Sequence, residues 1–230
     1  MKYLLRKSGF AVISFTILLT AFSCNKNDTA GNSNANGNAN GNPNIENLRT
    51  GINNLPAEQL NQAELASLAY MREEEKLARD VYTALYTKWR ANIFNNISKS
   101  EQTHMDAVLL LLNKYGLEDP AANKPAGVFT NPELQGLYNS LLLQGNSSLL
   151  NAYITGLTIE DLDIYDLENA LVDIDNQDIL LVYTNLRKGS RNHMRSFYRN
   201  LTNAGGSYTP QYITQAAFDA IRNSGMETGF

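Results

Sequence analysis

Glu101 and His104 lie three residues apart, and the second of the chain's 2 histidines, His193, sits far downstream. A carboxylate and an imidazole at i and i+3 project from one face of a helix. One such pair on each of two helices, completed by a Glu from each of two others, builds a carboxylate-bridged metal centre inside a bundle. The sequence offers most of that set in Glu75, Glu101, His104, Glu160 and His193, with Asp163 as an alternative ligand one turn after Glu160. Two imidazoles and several carboxylates suit iron or manganese, as one or two ions, and also zinc. Competing chemistry is scarce: there is no P-loop, no Rossmann glycine pattern and no Ser-His-Asp set.

Helices must carry these residues, and four segments show the required three-and-four spacing. The first stripe is Leu68, Met71, Glu75, Ala78, Tyr82, Leu85 and Trp89; the second is Ile97, Glu101, His104, Val108 and Leu111 or Leu112. The third, from near Asn146, is Leu149, Tyr153, Gly156, Glu160, Asp163 and Leu167, with Gly156 permitting close helix approach. The fourth is Ile179, Val182, Leu186, Ser190, His193, Phe197 and Leu201. The fold class is therefore all-α. Residues 116–133, with Pro120, Pro125 and Pro132, read as a long connection between the second and third helices. After Asn203 the chain breaks at Gly205-Gly206, and residues 210–222 read as a small helix docked on the bundle.

Burying an unpaired carboxylate costs several kcal/mol, on the order of a whole domain's margin of stability, so Glu residues on core stripes demand a positive partner or a proton. The stripes hold no Lys or Arg; Arg72, Lys76, Arg79, Arg191 and Arg195 fall beside them. A divalent metal pair would supply the charge.

The run Glu75-x-x-Ala78-Arg79-x-x-Tyr82, followed by Glu101-x-x-His104, resembles the first two ligand helices of the rubrerythrin branch of the ferritin-like superfamily. More closely, YMREEEKLARDVYTALYTKW, SEQTHMDAV, IEDLDIYDLENAL and GSRNHMRSFYRNL together resemble the DUF2202 family of uncharacterised ferritin-like domains, over residues 58–202. The resemblance implies a ferritin-like four-helix bundle over 51–202, with its long connection between helices 2 and 3, and a C-terminal extension at 203–230. It implies two iron or manganese ions and reaction with oxygen or peroxide. By position it makes Glu75 the first-helix ligand, Glu101 the bridge, His104 a terminal ligand, and Glu160 and His193 the ligands of the last two helices. Ser190 departs from the pattern, because the superfamily usually has Glu there. Asp163 could fill that place, or water, or one ion only would bind tightly.

Each residue also has a plainer role. Glu101 follows Ser98 at a capping-box interval. Glu75 belongs to the run Glu73-Glu74-Glu75, normally a solvated face, of which one residue alone is expected to point inward. Asp161, Asp163 and Asp166 crowd the turn around Glu160, and the histidines could be hydrogen-bonded core residues. Tyr82 and Tyr153 fall within two turns of the proposed ligands. Their hydroxyls could hold a ligand carboxylate, as could that of Ser190, or simply pack.

The N-terminus is a separate matter. Lys2, Arg6 and Lys7 precede an apolar run from Phe10 to Phe22, and the sole cysteine, Cys24, follows. This reads as a lipoprotein-like signal peptide over 1–23 with Cys24 lipidated, placing the protein at the cell envelope on a membrane. Residues 24–50, rich in Asn, Gly and Ala, read as a disordered tether. The net charge of −4 and the absence of a basic cluster argue against nucleic acid. Three functions remain open: a redox enzyme needing an external electron donor, since no cysteine-rich module is present; a metal-binding module without turnover; and a metal-free interaction bundle. Either a monomer or a homodimer fits better than a cage.

Overall fold

Capping and turn residues divide the chain into helices whose lengths suit a bundle. The computed structural model describes residues 44–228. In it lie α1 (Ile45–Asn54), α2 (Gln62–Trp89), α3 (Asn92–Lys114), α4 (Pro132–Gly145), α5 (Leu149–Asp173), α6 (Gln177–Asn203) and α7 (Gln215–Asn223). No strand occurs among the described residues. The expected signal peptide, Cys24 and most of the expected tether lie outside them. No helix among the described residues is long and apolar enough to cross a membrane.

The N-terminus of α2 is closed by a capping box: the Asn61 side chain accepts from the Glu64 amide at 3.0 Å and Glu64 accepts from the Asn61 amide at 2.9 Å. Glu64 also accepts the amide of Asn176 at 3.0 Å, which pins the turn between α5 and α6 to the start of α2. Arg90, in the left-handed region at φ 55°, ends α2 and lets α3 turn straight back. Because α3 begins at Asn92, Glu101 is in mid-helix, and the Ser98 hydroxyl bonds the Asn95 carbonyl instead of capping a start.

The four long helices pack as α2 on α3, α5 on α6, α2 on α5 and α3 on α6. Tyr82 meets Glu160 and Tyr70 meets Asp166, so α2 and α5 run antiparallel; Ser100 meets His193 and Lys114 meets Asp178, so α3 and α6 do as well. With short turns inside each pair, α3 and α5 must be parallel, and the chain has to cross the length of the bundle between them. It does so through residues 115–131 and α4, which packs on α2 and α5. The connection expected at 116–133 is thus longer than expected, because a further helix, α4, follows it before the third long helix begins at Leu149.

The crossover covers a polar face of α2. Arg72 holds Asp119 at 2.9 Å, Lys76 donates to the Pro125 carbonyl at 2.9 Å, Asp80 accepts the Gly127 amide at 2.9 Å, and Glu73 accepts the amides of Thr130 and Asn131 at 2.5 and 2.8 Å. This corrects the expectation that one alone of Glu73, Glu74 and Glu75 turns inward: each is 2% exposed. One is covered by the crossover, one faces α5 and one faces the bundle axis. A second correction concerns the tether. From Ile45 onward it is helical, with Leu48 and Ile52 buried and α1 packed on α3 and α6. Lys114 fastens its end by donating to the carbonyls of Ile52, Leu55 and Pro56.

Two apolar clusters fill the interior. One gathers Tyr82, Phe94, Tyr153, Leu157, Phe197 and Leu201, and the other Leu68, Met71, Leu111, Leu167, Val182 and Leu186. On every long helix the polar stripe residues fall between the two, so the acidic layer is closed by hydrocarbon above and below. Gly156 allows this closeness, since a β-carbon there would lie 2.6 Å from the Phe197 ring.

Candidate metal centre

Each of the four long helices places one or two polar side chains in the closed layer: Glu75 from α2, Glu101 and His104 from α3, Glu160 and Asp163 from α5, Ser190 and His193 from α6. All are buried. Glu101 stands between the imidazoles, with Oε2 2.8 Å from His104 Nδ1 and Oε1 3.0 Å from His193 Nδ1. The outer carboxylates repeat the arrangement. Glu75 Oε2 lies 3.2 Å from His104 Nδ1, and Glu160 Oε2 lies 3.4 Å from His193 Nδ1. The two rings stack with centroids 5.5 Å apart. The centre is two Glu-His halves sharing one carboxylate, and one ligand atom from each of Glu101, His104 and His193 falls within 4.8 Å of the others.

The far side of each ring fixes which nitrogen faces inward. His193 Nε2 is 2.7 Å from the Ser100 hydroxyl, leaving Nδ1 to the carboxylates. His104 Nε2 points at Gly189, where a β-carbon would stand 2.5 Å away. Sequence reasoning passed over both residues. Gly189 carried a signal, because a glycine inside a helix costs about 1 kcal/mol and needs a packing reason. Ser100 carried none, being a quarter-turn off the stripe.

The expected supporting residues divide. The Tyr82 hydroxyl donates to Glu160 Oε1 at 2.5 Å, while the Tyr153 ring stacks on Phe94 at 5.7 Å within the aromatic cluster. Ser190 donates to Asp163 Oδ2 and lies 2.9 Å from the Leu186 carbonyl. The crowded aspartates are also sorted. Asp163 faces the centre, Asp166 receives the Tyr70 hydroxyl, and Asp161 holds the C-terminal segment through the Tyr208 hydroxyl and the amides of Gln211, Tyr212 and Ile213.

The electrostatics show a layer short of positive charge. Burial pushes Glu75 and Glu160 each up to about 7, against the pull of His104 on the one and His193 on the other. Asp163 is pushed well up by burial and then by the charges of Glu75 and Glu160. Burial would also raise Glu101, but the imidazolium charges of His193 and His104 outweigh it and hold this carboxyl well below its usual range. Burial works against charged His193, yet Glu101 and Glu160 drive it up to about 10, and His104 is raised in the same way by Glu75 and Glu101. Glu75 Oε1 and Asp163 Oδ1 are buried without any hydrogen-bond donor. Nearby cations are engaged elsewhere: Lys76 with Asp80 at 2.6 Å, Arg72 with Asp119, and Arg191 and Arg195 with Glu227. Four ionised carboxylates and two neutral imidazoles would be balanced by two divalent ions, and ligand atoms that lack donors are the ones a cation satisfies.

Residues 64–225 match the family described as an uncharacterised protein domain, DUF2202. The chain belongs to the DUF2202 family. Among its relatives, the uncharacterised protein MJ0754 of Methanocaldococcus jannaschii is 53% identical over 178 residues, which is 77% of this chain and 96% of that one. The crystal structure of hypothetical protein MJ0754 from Methanococcus jannaschii shares the fold with a TM-score of 0.74, covering 75% of this chain and 99% of that chain. Every residue of the centre lies inside the DUF2202 match.

Proposed function

We propose that this protein is a ferritin-like metal-binding protein whose buried centre holds one or two iron or manganese ions. The observation that carries this is Glu101, each of whose oxygens faces the Nδ1 of a different histidine at 2.8 and 3.0 Å. Glu75 and His104 would hold one ion, Glu160 and His193 the other, and Glu101 would join them. Asp163, oriented by Ser190, supplies from α5 the carboxylate that the ferritin-like pattern expects at position 190 of α6. Antiparallel neighbours and a crossover between the second and third long helices support the ferritin-like assignment.

A second reading, reduction of peroxide or oxygen, draws on one further observation. A pocket of about 350 Å³ opens onto His193, lined by Asn96, Ser100, Asn192, Ser196 and Asn200 together with the apolar side chains of Ile93, Ile97 and Met226. Neutral amides and hydroxyls there suit a small uncharged polar oxidant. A bound iron or manganese pair would supply the change of oxidation state, and the electrons would come from an external donor. Tyr82 holds Glu160 in place and Ser100 fixes the His193 ring, so the chain's own part is to orient ligands. Export, lipidation at Cys24, residence at the cell envelope as a monomer or homodimer, a signal peptide over 1–23 and a tether ending before α1 are part of the same proposal and rest on the sequence of residues 1–44.

Anaerobic titration of chelator-stripped protein with Fe²⁺ or Mn²⁺ tests the metal claim. Tight uptake that disappears in a His104→Ala/His193→Ala double variant supports it, and equal uptake by both proteins sinks it. Peroxide-dependent oxidation of the loaded iron then separates turnover from storage.

A further inference from the structure

Glu74 is 2% exposed, and no hydrogen-bond donor reaches either of its carboxylate oxygens. What does reach it is a second carboxyl, that of Asp166. Two facing carboxyls need a shared proton or a cation between them. Asp166 is half-buried and lies on the floor of a groove of about 660 Å³ between α2, α5 and the crossover, beside Tyr70, whose hydroxyl donates to it at 3.2 Å. The rest of the lining is mostly apolar, with Ala66, Met71, Pro132 and Ala170, and its other polar residues, Ser67, Thr130 and Asn131, are uncharged, so Asp166 and Glu73 are its acids. Glu73 is already held by the amides of Thr130 and Asn131.

From this floor, acids lead inward without a break. Asp163 is one turn from Asp166 on α5, and Glu160 one turn beyond, each step a rise of about 4.5 Å along the helix. On α2, Glu74 adjoins Glu75 in sequence and feels the charges of both Asp163 and Glu75. Glu75 Oε1 and Asp163 Oδ1, the oxygens without donors, occupy the next positions of the series.

We propose that the Glu74–Asp166 pair is a loading site for a hard divalent cation, taking the ion from the groove and passing it by way of Asp163 and Glu75 to the histidine-containing centre. It rests on the proposed metal centre for its destination but not for its own binding. With oxygen donors alone, the pair favours Mn²⁺, Fe²⁺ or Mg²⁺ over softer ions and binds more weakly than the centre. Weak binding is what transfer requires.

The test uses the full chain, stripped of metal, with Mn²⁺ as the probe, its free aquo signal followed by electron paramagnetic resonance after rapid mixing. Asp166→Asn and Glu74→Gln keep side-chain size, and circular dichroism checks that each variant is folded. Both are expected to fill the centre about tenfold more slowly than wild type while leaving the tightly bound equivalents unchanged. His104→Ala/His193→Ala is expected to keep one weakly bound Mn²⁺, which the further change Asp166→Asn removes. Wild-type loading rates in both amide variants, or no residual Mn²⁺ in the histidine double variant, overturn the loading site alone. A wild type that binds no Mn²⁺ overturns both this and the metal centre on which it rests.

Discussion

Replacing Glu160 with glutamine separates what this carboxyl does for metal from what it does for the fold. It is buried, accepts the Tyr82 hydroxyl, and is pushed from 4.5 up to about 7, by burial above all. The unfolded chain gives up this proton near 4.5 and the folded one only near 7, so the native state holds an extra proton between those values. Metal-free stability therefore falls as pH rises through that window. A shift of that size corresponds to about 3 kcal/mol once the pH is well above 7. The amide carries no charge and avoids this cost, but it also withdraws a carboxylate from His193. The net gain should be about 1–2 kcal/mol, roughly 2–8 °C in melting temperature for a domain of this size. Calorimetry of chelator-treated protein at pH 5 and pH 8 checks it. Glu160→Gln should match wild type at pH 5 and melt higher at pH 8, while losing the gain of about 2.7 kcal/mol that a hundredfold excess of metal over Kd gives wild type. A metal-free Glu160→Gln protein that melts below wild type at pH 8 would refute the reasoning, because the carboxylate would then stabilise the fold with no cation present.

Other perturbations test separate links. Gly189→Ala drives a β-carbon to within 2.5 Å of His104 Nε2, so it should destabilise by about 2 kcal/mol and weaken metal uptake; Gly136→Ala, in the open on α4, should gain about 0.5–1 kcal/mol in the same melts. Ser190→Ala removes the donor that orients Asp163 and should cut bound metal toward one equivalent by mass spectrometry, with the helical signal unchanged. Asp161→Asn weakens the anchor of residues 208–213, so limited proteolysis should release the C-terminal segment faster while metal content stays at the wild-type value.

The stripes along the four long helices were legible because their inward positions pack on other helices at a fixed period. Glu75, Glu101, His104, Glu160 and His193 stood out as the polar interruptions of those stripes, and the structure brings all five into one layer. What one helix's periodicity could not show was cover from elsewhere in the chain. Glu73 and Glu74 looked solvated because the crossover and α5 that bury them are remote in sequence. The same holds for Asp161, whose partners lie 47 to 52 residues downstream. The helix at Ile45–Asn54 was hidden by its Asn-rich surroundings, although Leu48 and Ile52 are one turn apart. Ser190 departs from the ligand pattern, and of the two roles its sequence position allows, a gap among the ligands or a hydroxyl that holds a carboxylate, the structure shows the hydroxyl donating to Asp163.

Anomalous diffraction from crystals of the protein loaded with Mn²⁺ or Fe²⁺ tests the metal centre most directly. The account expects one or two peaks enclosed by Glu75, Glu101, His104, Glu160 and His193, with Glu101 reaching toward both histidine halves. A loaded crystal with no peak in that layer, its Glu75 and Glu160 carboxyls still 3.2 and 3.4 Å from the Nδ1 atoms of His104 and His193, would contradict it.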